Sequence, residues 1–390
     1  MKLLRNIGKG LGGLLVVLVL MLWLSGNNHI YLGLYDTYLQ GRTKPAVDDP
    51  DLFPYRTIEK GTSKPWAKAE TYNQKPLLSA TEKAHKDYQS LAFLVIQNQK
   101  ILQEKYFENY NESTLSNSFS MAKTFLSILT GIAIKEGKLG LYDAVNQYLP
   151  DYVEPQDTAL KVIHLLNMTS GMNFDESYGN PIGFMAKAYY GSNLRELLLG
   201  YHLELVPGKQ WEYLGGNNLL LSLLLEKVMG QKVGDYASEK VWKPLGMEYD
   251  ARWILDHEGG DEKTFSGLYA TARDFAKLGQ LYLNQGVFDG LQIVQADYVA
   301  QSIQSVNVPD QDGKMIDYYG FAWWLTKHEE HEVFYMQGIL GQYVIVIPDL
   351  DVIIVRLGRT RGEKSNGINP DDLKIWITEG LNQANKMQEN

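Results

Sequence analysis

The chain has 390 residues and no cysteine. That excludes disulfides, thiol nucleophiles, cysteine-ligated zinc and a lipid-modified N-terminal cysteine, and it leaves the compartment open. Cations are also short: 37 Lys and Arg face 46 Asp and Glu, for a net charge of −9. Such a balance argues against a nucleic-acid binder that works by displacing counterions from phosphates. There is no G-x-S-x-G elbow and no H-E-x-x-H pair, which disfavours a classical α/β-hydrolase and a zinc peptidase. The densest glycine cluster, Gly8-x-Gly10-x-Gly12-Gly13, lies in an apolar leader and not between a strand and a helix, so it cradles no phosphate. No internal repeat or low-complexity tract occurs. With 45% hydrophobic and 21% charged residues, the chain can bury a core. Its length corresponds to two domains, or to one with a large insertion.

The N-terminus points to export. Lys2, Arg5 and Lys9 are the only charges before Asp36, and Leu11 to Leu24 is an unbroken apolar run closed by Ser25-Gly26-Asn27-Asn28. A basic flank, an apolar stretch and a polar exit form a signal or anchor over residues 1–26. Leu24-Ser25-Gly26 is a poor cleavage site, which favours an uncleaved anchor in the inner membrane, basic end in the cytoplasm and body in the periplasm or outside. Secretion after cleavage is the alternative. Residues 27–78, punctuated by Pro45, Pro50, Pro54, Pro65 and Pro76, read as a linker and N-terminal arm.

The folded body is expected over 79–390. Ala92–Ile96 and Lys100–Phe107, joined by Gln97-Asn98-Gln99, read as a β-hairpin. A helix is predicted from about Met121 to Glu136, stopped by Gly137. The stretch 141–285 is mostly helical by period, with a buried helix over Leu219–Val228 and an amphipathic one over Thr271–Leu283. Strands return at Phe321–Leu325, Val333–Gln337, Tyr343–Ile347 and Val352–Leu357, and a last helix runs from about Pro370 to Asn385. Strands at both ends and helices between predict an α+β fold. Its antiparallel sheet is built from both chain ends (about 79–140 and 286–390), flanked by helices and interrupted by a mostly helical insertion, 141–285.

The sharpest chemical motif is Ser120-Met121-Ala122-Lys123 at the start of a helix. Three residues is nearly one turn, so hydroxyl and ammonium point into the same cleft. A serine hydroxyl needs such activation to attack a carbonyl. On its own, S-x-x-K is weak, since a serine cap followed by a surface lysine has the same spelling. His328-Glu-Glu-His331 places two histidines three apart between strand runs, which reads as a solvated tip and not a metal site. His164, ahead of Leu165-Leu166, reads as a packing or capping residue.

The wider context adds specificity. Ser118–Phe125, then Gly131–Leu139 and Tyr148-Leu149-Pro150, then Leu165–Met172, Trp211-Glu212-Tyr213, Lys243–Met247 and Gly267–Asp274, together resemble the class C serine β-lactamase and penicillin-binding-protein-like hydrolases in content and order, over about residues 85 to 360. Met168–Tyr178, Ala188–Gly191 and Gly338-Ile339-Leu340-Gly341-Gln342 most resemble the 6-aminohexanoate-dimer hydrolase branch. The resemblance implies a β-lactamase/transpeptidase-like fold and an acyl-enzyme at Ser120, hydrolysing a small ester or amide with no metal or cofactor. It implies Tyr213 as general base and later acid. A phenol titrates near 10, so it needs a cation, expected to be Lys123. The backbone N–H groups of Ser120 and Ile339 are the expected oxyanion hole. Gly338 lets substrate approach the strand, beside Gln337, and Tyr178 is carried over as a substrate contact.

Two positions depart from the pattern. Relatives carry Asn or Ser two residues after the tyrosine; this chain has Gly215, so that hydrogen bond is missing or comes from Asn217 or Asn218. Where relatives have Lys-Thr-Gly or His-x-Gly, this chain has Met336-Gln337-Gly338. The cation that grips a substrate carboxylate is gone, unless Arg356 or Arg359 replaces it, which argues against penicillins and D-Ala-D-Ala peptides. The alternatives are therefore a non-catalytic anchored binding or scaffold protein of the same fold, or a D,D-peptidase or β-lactamase.

Overall fold

The computed structural model describes residues 2–154, 156–365 and 367–384. Seven strands form the main sheet: β1 (Ala67–Lys68), β2 (Ser90–Gln97), β3 (Lys100–Tyr106), β4 (Trp324–His328), β5 (His331–Gly338), β6 (Gln342–Ile347) and β7 (Val352–Gly358). Their order across the sheet is β4-β5-β6-β7-β2-β3-β1. All neighbours are antiparallel except the short β1, which runs parallel to β3. The junction of the two chain ends is the β7–β2 pair, with Ile354 opposite Val95 and Arg356 opposite Phe93.

Both faces of this sheet are covered, which is why β2, β6 and β7 are buried along their whole length. Side chains alternate between two cores. Leu94, Ile96, Val344, Val346, Ile353 and Val355 face the helices Met121–Lys135 and Ala272–Leu283. Phe93, Val95, Ile345 and Ile354 face Ser79–Asp87 and Leu373–Gln383, where Trp376 is fully buried. The α+β sandwich expected from the strand–helix–strand order is the observed one.

Most predicted elements stand. Helix Met121–Lys135 is closed by Gly137 at φ 68°, and helix Gly215–Met229 by Gly230 at φ 68°. Thr271 caps its helix by accepting from the Asp274 N–H. The differences are local. The strand expected at Phe321–Leu325 begins only at Trp324. The last helix ends at Gln383, and Asn385, its expected end, lies outside the described residues.

The mostly helical centre also holds strands Ala251–Ile254 and Leu268–Ala270, which join Tyr55–Ile58 and Ser116–Asn117 in a second, four-stranded sheet. These runs are two to four residues long, too short for a period to register.

The segment expected as linker and arm is an arm over much of its length. Tyr55–Ile58 pairs with Ala251–Ile254, and Val47, Phe53 and Ile58 are buried. Its loop carboxylates are tied to the body: Asp48 to Arg359 at 2.6 Å and Asp51 to Arg252 at 2.6 Å. Proline marks the turns, but buried apolar side chains hold the segment in place. Ahead of it lie the helices Lys2–Leu24 and His29–Asp36. Among the described residues no helix is long and apolar enough to cross a membrane. In the first helix Leu14, Val16–Met21, Trp23 and Leu24 are exposed.

Candidate active site

Ser120 sits where the second sheet hands over to the long helix. The Ser118 N–H donates to the Leu268 carbonyl at 2.8 Å, and Asn117 Oδ1 accepts from the Phe119 N–H at 2.9 Å. This turn holds Phe119 at φ 44°, a left-handed backbone that a bulky residue adopts only when its surroundings impose it. From the other side, Gly338 ends β5 against the same segment. A Cβ built there would collide with the Ser118 carbonyl oxygen, so close approach is what requires glycine.

Lys123 lies one turn along the helix and is 1% exposed. Its Nζ donates to Ser120 Oγ at 3.2 Å and to the Phe265 carbonyl at 2.9 Å. Burial lowers its pKa to about 8, and the charge of Glu176 only partly opposes this.

Tyr213 comes from a loop pinned on both sides: the Trp211 N–H donates to Pro309 O at 2.8 Å, and the Glu212 N–H to Met168 O at 2.9 Å. Its ring packs 5.6 Å from that of Trp324 and 6.0 Å from that of Tyr319, and Lys123 Nζ stands 4.9 Å from its centroid. Tyr213 and Ser120 line the same cavity. Burial pushes the phenol well above its ordinary value; Ser120 and the charge of Arg361 pull the other way, and Glu176 adds to the rise. Lys123 was expected to act as the cation that makes Tyr213 a base. Burial acts on the two groups in opposite senses, raising the phenol and lowering the ammonium.

Gly215 does not leave a gap. Glu176 fills the space, accepting from the Gly215 N–H at 2.5 Å, and a Cβ on Gly215 would stand 3.2 Å from its Oε2. The Tyr178 hydroxyl donates to Glu176 Oε1 at 2.8 Å, while its ring lies exposed at the cleft. Burial raises the Glu176 carboxyl, against the pull of Lys123, the Gly215 N–H and Tyr178. Asn217, suggested as a replacement donor, is buried against Met168 Sδ at 3.5 Å and lines neither cavity at Ser120. It is helical and points inward with the rest of that fully buried turn. Asn218 is buried beside it.

Ser120, Tyr178 and Ile339 border two cavities. The backbone N–H groups of Ser120 and Ile339 donate to no acceptor among the described residues, so both are available at this junction. The smaller cavity, about 220 Å³, also holds Tyr213, Gln337, Gly338, Arg361 and Lys364. The Met336 side chain is buried in the core on the opposite face of β5. The missing cation is supplied by neither Arg356 nor Arg359. Arg356 is fully buried, bonding Gly341 O and Thr360 O at 2.9 Å each, and Arg359 pairs with Asp48 and Glu108. Arg361 and Lys364, further along the same loop, line the cavity instead. Burial and the neighbouring Arg361 charge lower Lys364 to about 8.

None of the three histidines noted in the sequence lines either cavity at Ser120. His164 accepts from the Lys161 N–H at 3.2 Å, capping its helix, and burial lowers it to about 4. His328 contacts Thr378, and His331 pairs with Asp349, at an exposed tip. No cluster that could hold a metal occurs among the described residues.

A family model described as Beta-lactamase matches residues 78–374. The 6-aminohexanoate-dimer hydrolase of Paenarthrobacter ureafaciens is 24% identical over 282 residues, covering 68% of this chain and 71% of its own. Among solved structures, one from Bacillus anthracis named "Putative 6-aminohexanoate-dimer hydrolase" superposes with a TM-score of 0.73 at 21% identity, covering 85% of this chain and 90% of its own. The octameric penicillin-binding protein homologue from Pyrococcus abyssi superposes with a TM-score of 0.58 at 18% identity, covering 80% and 78%.

Proposed function

The chain belongs to the beta-lactamase family of serine hydrolases, and from that premise we propose that it hydrolyses an ester or amide through an acyl-enzyme at Ser120. The observation that carries this reading is the buried Lys123 ammonium 3.2 Å from Ser120 Oγ, with its pKa lowered to about 8. A fraction of Lys123 is then neutral near pH 7 and accepts the Ser120 proton as Oγ attacks the carbonyl carbon. The oxyanion develops between the N–H groups of Ser120 and Ile339. Tyr213, kept protonated by burial, gives its proton to the leaving oxygen or nitrogen as the bond breaks and is reprotonated through Lys123. Water then attacks the acyl-serine by the same route in reverse. This assigns the first proton transfer to Lys123 and not to Tyr213, because burial moves the two pKa values in opposite directions.

The complete Ser–Lys–Tyr set, with Glu176 bracing Gly215, argues for an enzyme over an inactive scaffold. A D,D-peptidase or β-lactamase is the second reading, favoured by Arg361 and Lys364 at the place a substrate carboxylate would reach; nitrocefin turnover would support it. A fluorophosphonate probe tests the main reading: wild type is labelled and Ser120→Ala is not. Labelling that persists in Ser120→Ala sinks it.

We further propose that residues 1–26 anchor the chain in the inner membrane, with the body 79–390 outside the cytoplasm. The order basic–apolar–polar and the exposed side chains of Leu14, Val16–Met21, Trp23 and Leu24 support this. Protease added to spheroplasts should digest the body; protection of the body while a periplasmic marker is cleaved argues against it.

A further inference from the structure

The two cavities at Ser120 have opposite chemistry. The larger, about 620 Å³, lies between the arm and the helix Phe184–Tyr190, with Ile30, Leu34, Tyr38, Met185, Tyr189 and Phe265 in its wall. Three of its polar wall groups are already used: His29 Nε2 bonds Pro181 O at 2.8 Å, Thr37 Oγ1 donates to Gly33 O at 2.6 Å, and the Tyr190 hydroxyl donates to Asp36 at 2.8 Å. A ligand there meets a mostly apolar wall.

The smaller cavity offers the reverse. Gln337 is 6% exposed, and its Oε1 has no partner among the described residues; nor does Trp211 Nε1 on the same wall. Such buried orphans are costly unless a ligand satisfies them. Arg361 and Lys364 stand in the same cavity without an ion pair among the described residues.

Resting on the acyl-enzyme reading, we propose that the substrate is an anionic N-acyl amphiphile, a long-chain acyl group joined through an amide to a small carboxylate-bearing amine such as an amino acid. The chain fills the larger cavity, and the amide carbonyl lies at the Ser120 and Ile339 N–H groups. The amide N–H faces Gln337 Oε1, and the carboxylate lies under Arg361 and Lys364. Ser120 Oγ forms the ester as the C–N bond breaks, the leaving nitrogen takes a proton from Tyr213, and water releases the fatty acid and returns the serine. Beside this cavity, directly after the apolar N-terminal helix, the arm exposes Tyr35 and Leu39 as well as the wall residues Leu34 and Tyr38. The large cavity thus opens beside the surface most suited to an amphiphile.

The test uses the full chain in neutral detergent with N-acetyl-, N-octanoyl- and N-dodecanoylglycine and with N-dodecanoylglycinamide, reading released amine. Each buried methylene is worth up to about fourfold in kcat/KM. Octanoylglycine should exceed acetylglycine by at least tenfold, and the glycinamide, which lacks the charge, should fall at least tenfold below its acid. Ala186→Trp, which fills the large cavity, should shrink the octanoyl/acetyl ratio, and Arg361→Ala the acid/amide ratio. Ratios do not depend on the fraction of each variant that folds. A flat chain-length series, or a glycinamide as good as the acid, overturns the proposal. If Ser120 is still labelled by a fluorophosphonate in that case, the hydrolase reading stands alone; if it is not, both fall.

Discussion

Lys123 as the acceptor of the Ser120 proton has a consequence that can be read from pH alone. Only the free amine can take the proton, so kcat/KM should rise with pH to a plateau, with a midpoint near the lysine pKa of about 8. At pH 6.5 about 3% of such a lysine is neutral, so the rate there should be about thirtyfold below plateau. Glu176 sets where that limb lies. Its carboxylate favours the ammonium form against the larger effect of burial. Glu176→Gln keeps the shape and an oxygen for the Gly215 N–H but removes the charge. The free amine then becomes easier to reach, and the limb should move to lower pH. The assay is kcat/KM for a chromogenic ester from pH 5.5 to 9.5, each profile normalised to its own plateau so that a general loss of activity cancels. A limb that stays in place in Glu176→Gln, or moves up, would refute Lys123 as the titrating base.

Tyr213→Phe should cost about 10²- to 10⁴-fold in kcat on an amide, which needs a protonated leaving group, and much less on a p-nitrophenyl ester, whose phenolate leaves unaided; equal losses on both would remove the tyrosine from the proton-donor role. Gly338→Ala forces a Cβ against the Ser118 carbonyl, and strain of this kind costs about 1–3 kcal/mol. Urea denaturation should show that loss together with reduced turnover, and a neutral outcome would mean that the strand end can back away. His85 is enclosed by Phe93, Phe107 and Trp376 beside Arg356 and is lowered to about 3, chiefly by burial. Its unfolded form takes up a proton first as pH falls, so stability is full above about 6.5 and declines towards 3. Between pH 7.5 and 5, wild type should lose about 2 kcal/mol more than His85→Leu; parallel losses would contradict the buried neutral ring.

How far the sequence reached follows from how local each signal was. Ser120 and Lys123 share one helical turn, so their spacing alone brings them together, and the hairpin Ser90–Gln97/Lys100–Tyr106 is spelled by two strand-like runs and a short turn. Tyr213 needed the surrounding blocks, because nothing in Trp-Glu-Tyr itself distinguishes a reacting phenol from a packed ring. Glu176 was missed although it neighbours the quoted Tyr178: that a carboxylate reaches 39 residues along to a glycine N–H is a property of the loop's path. Arg361 and Lys364 lie in the loop that holds Arg359, and only side-chain direction separates the cation facing the cavity from the one paired with Asp48. Asn217 failed for the opposite reason: proximity to Tyr213 in the chain carried it into a helix interior. The arm residues Ile30 and Leu34 carry no chemistry in their spelling, and only the fold brings them to Ser120.

The proposed hydrolysis depends on a covalent bond to one oxygen, Ser120 Oγ. The most direct measurement is rapid acid quench of the protein with an activated ester, followed by mass spectrometry of the peptide that carries Ser120. An acyl group on Ser120, formed within the first turnover, absent in Ser120→Ala and longer-lived in Tyr213→Phe, is the expected result. Turnover that proceeds undiminished in Ser120→Ala, or an acyl group found on a different residue, would contradict it.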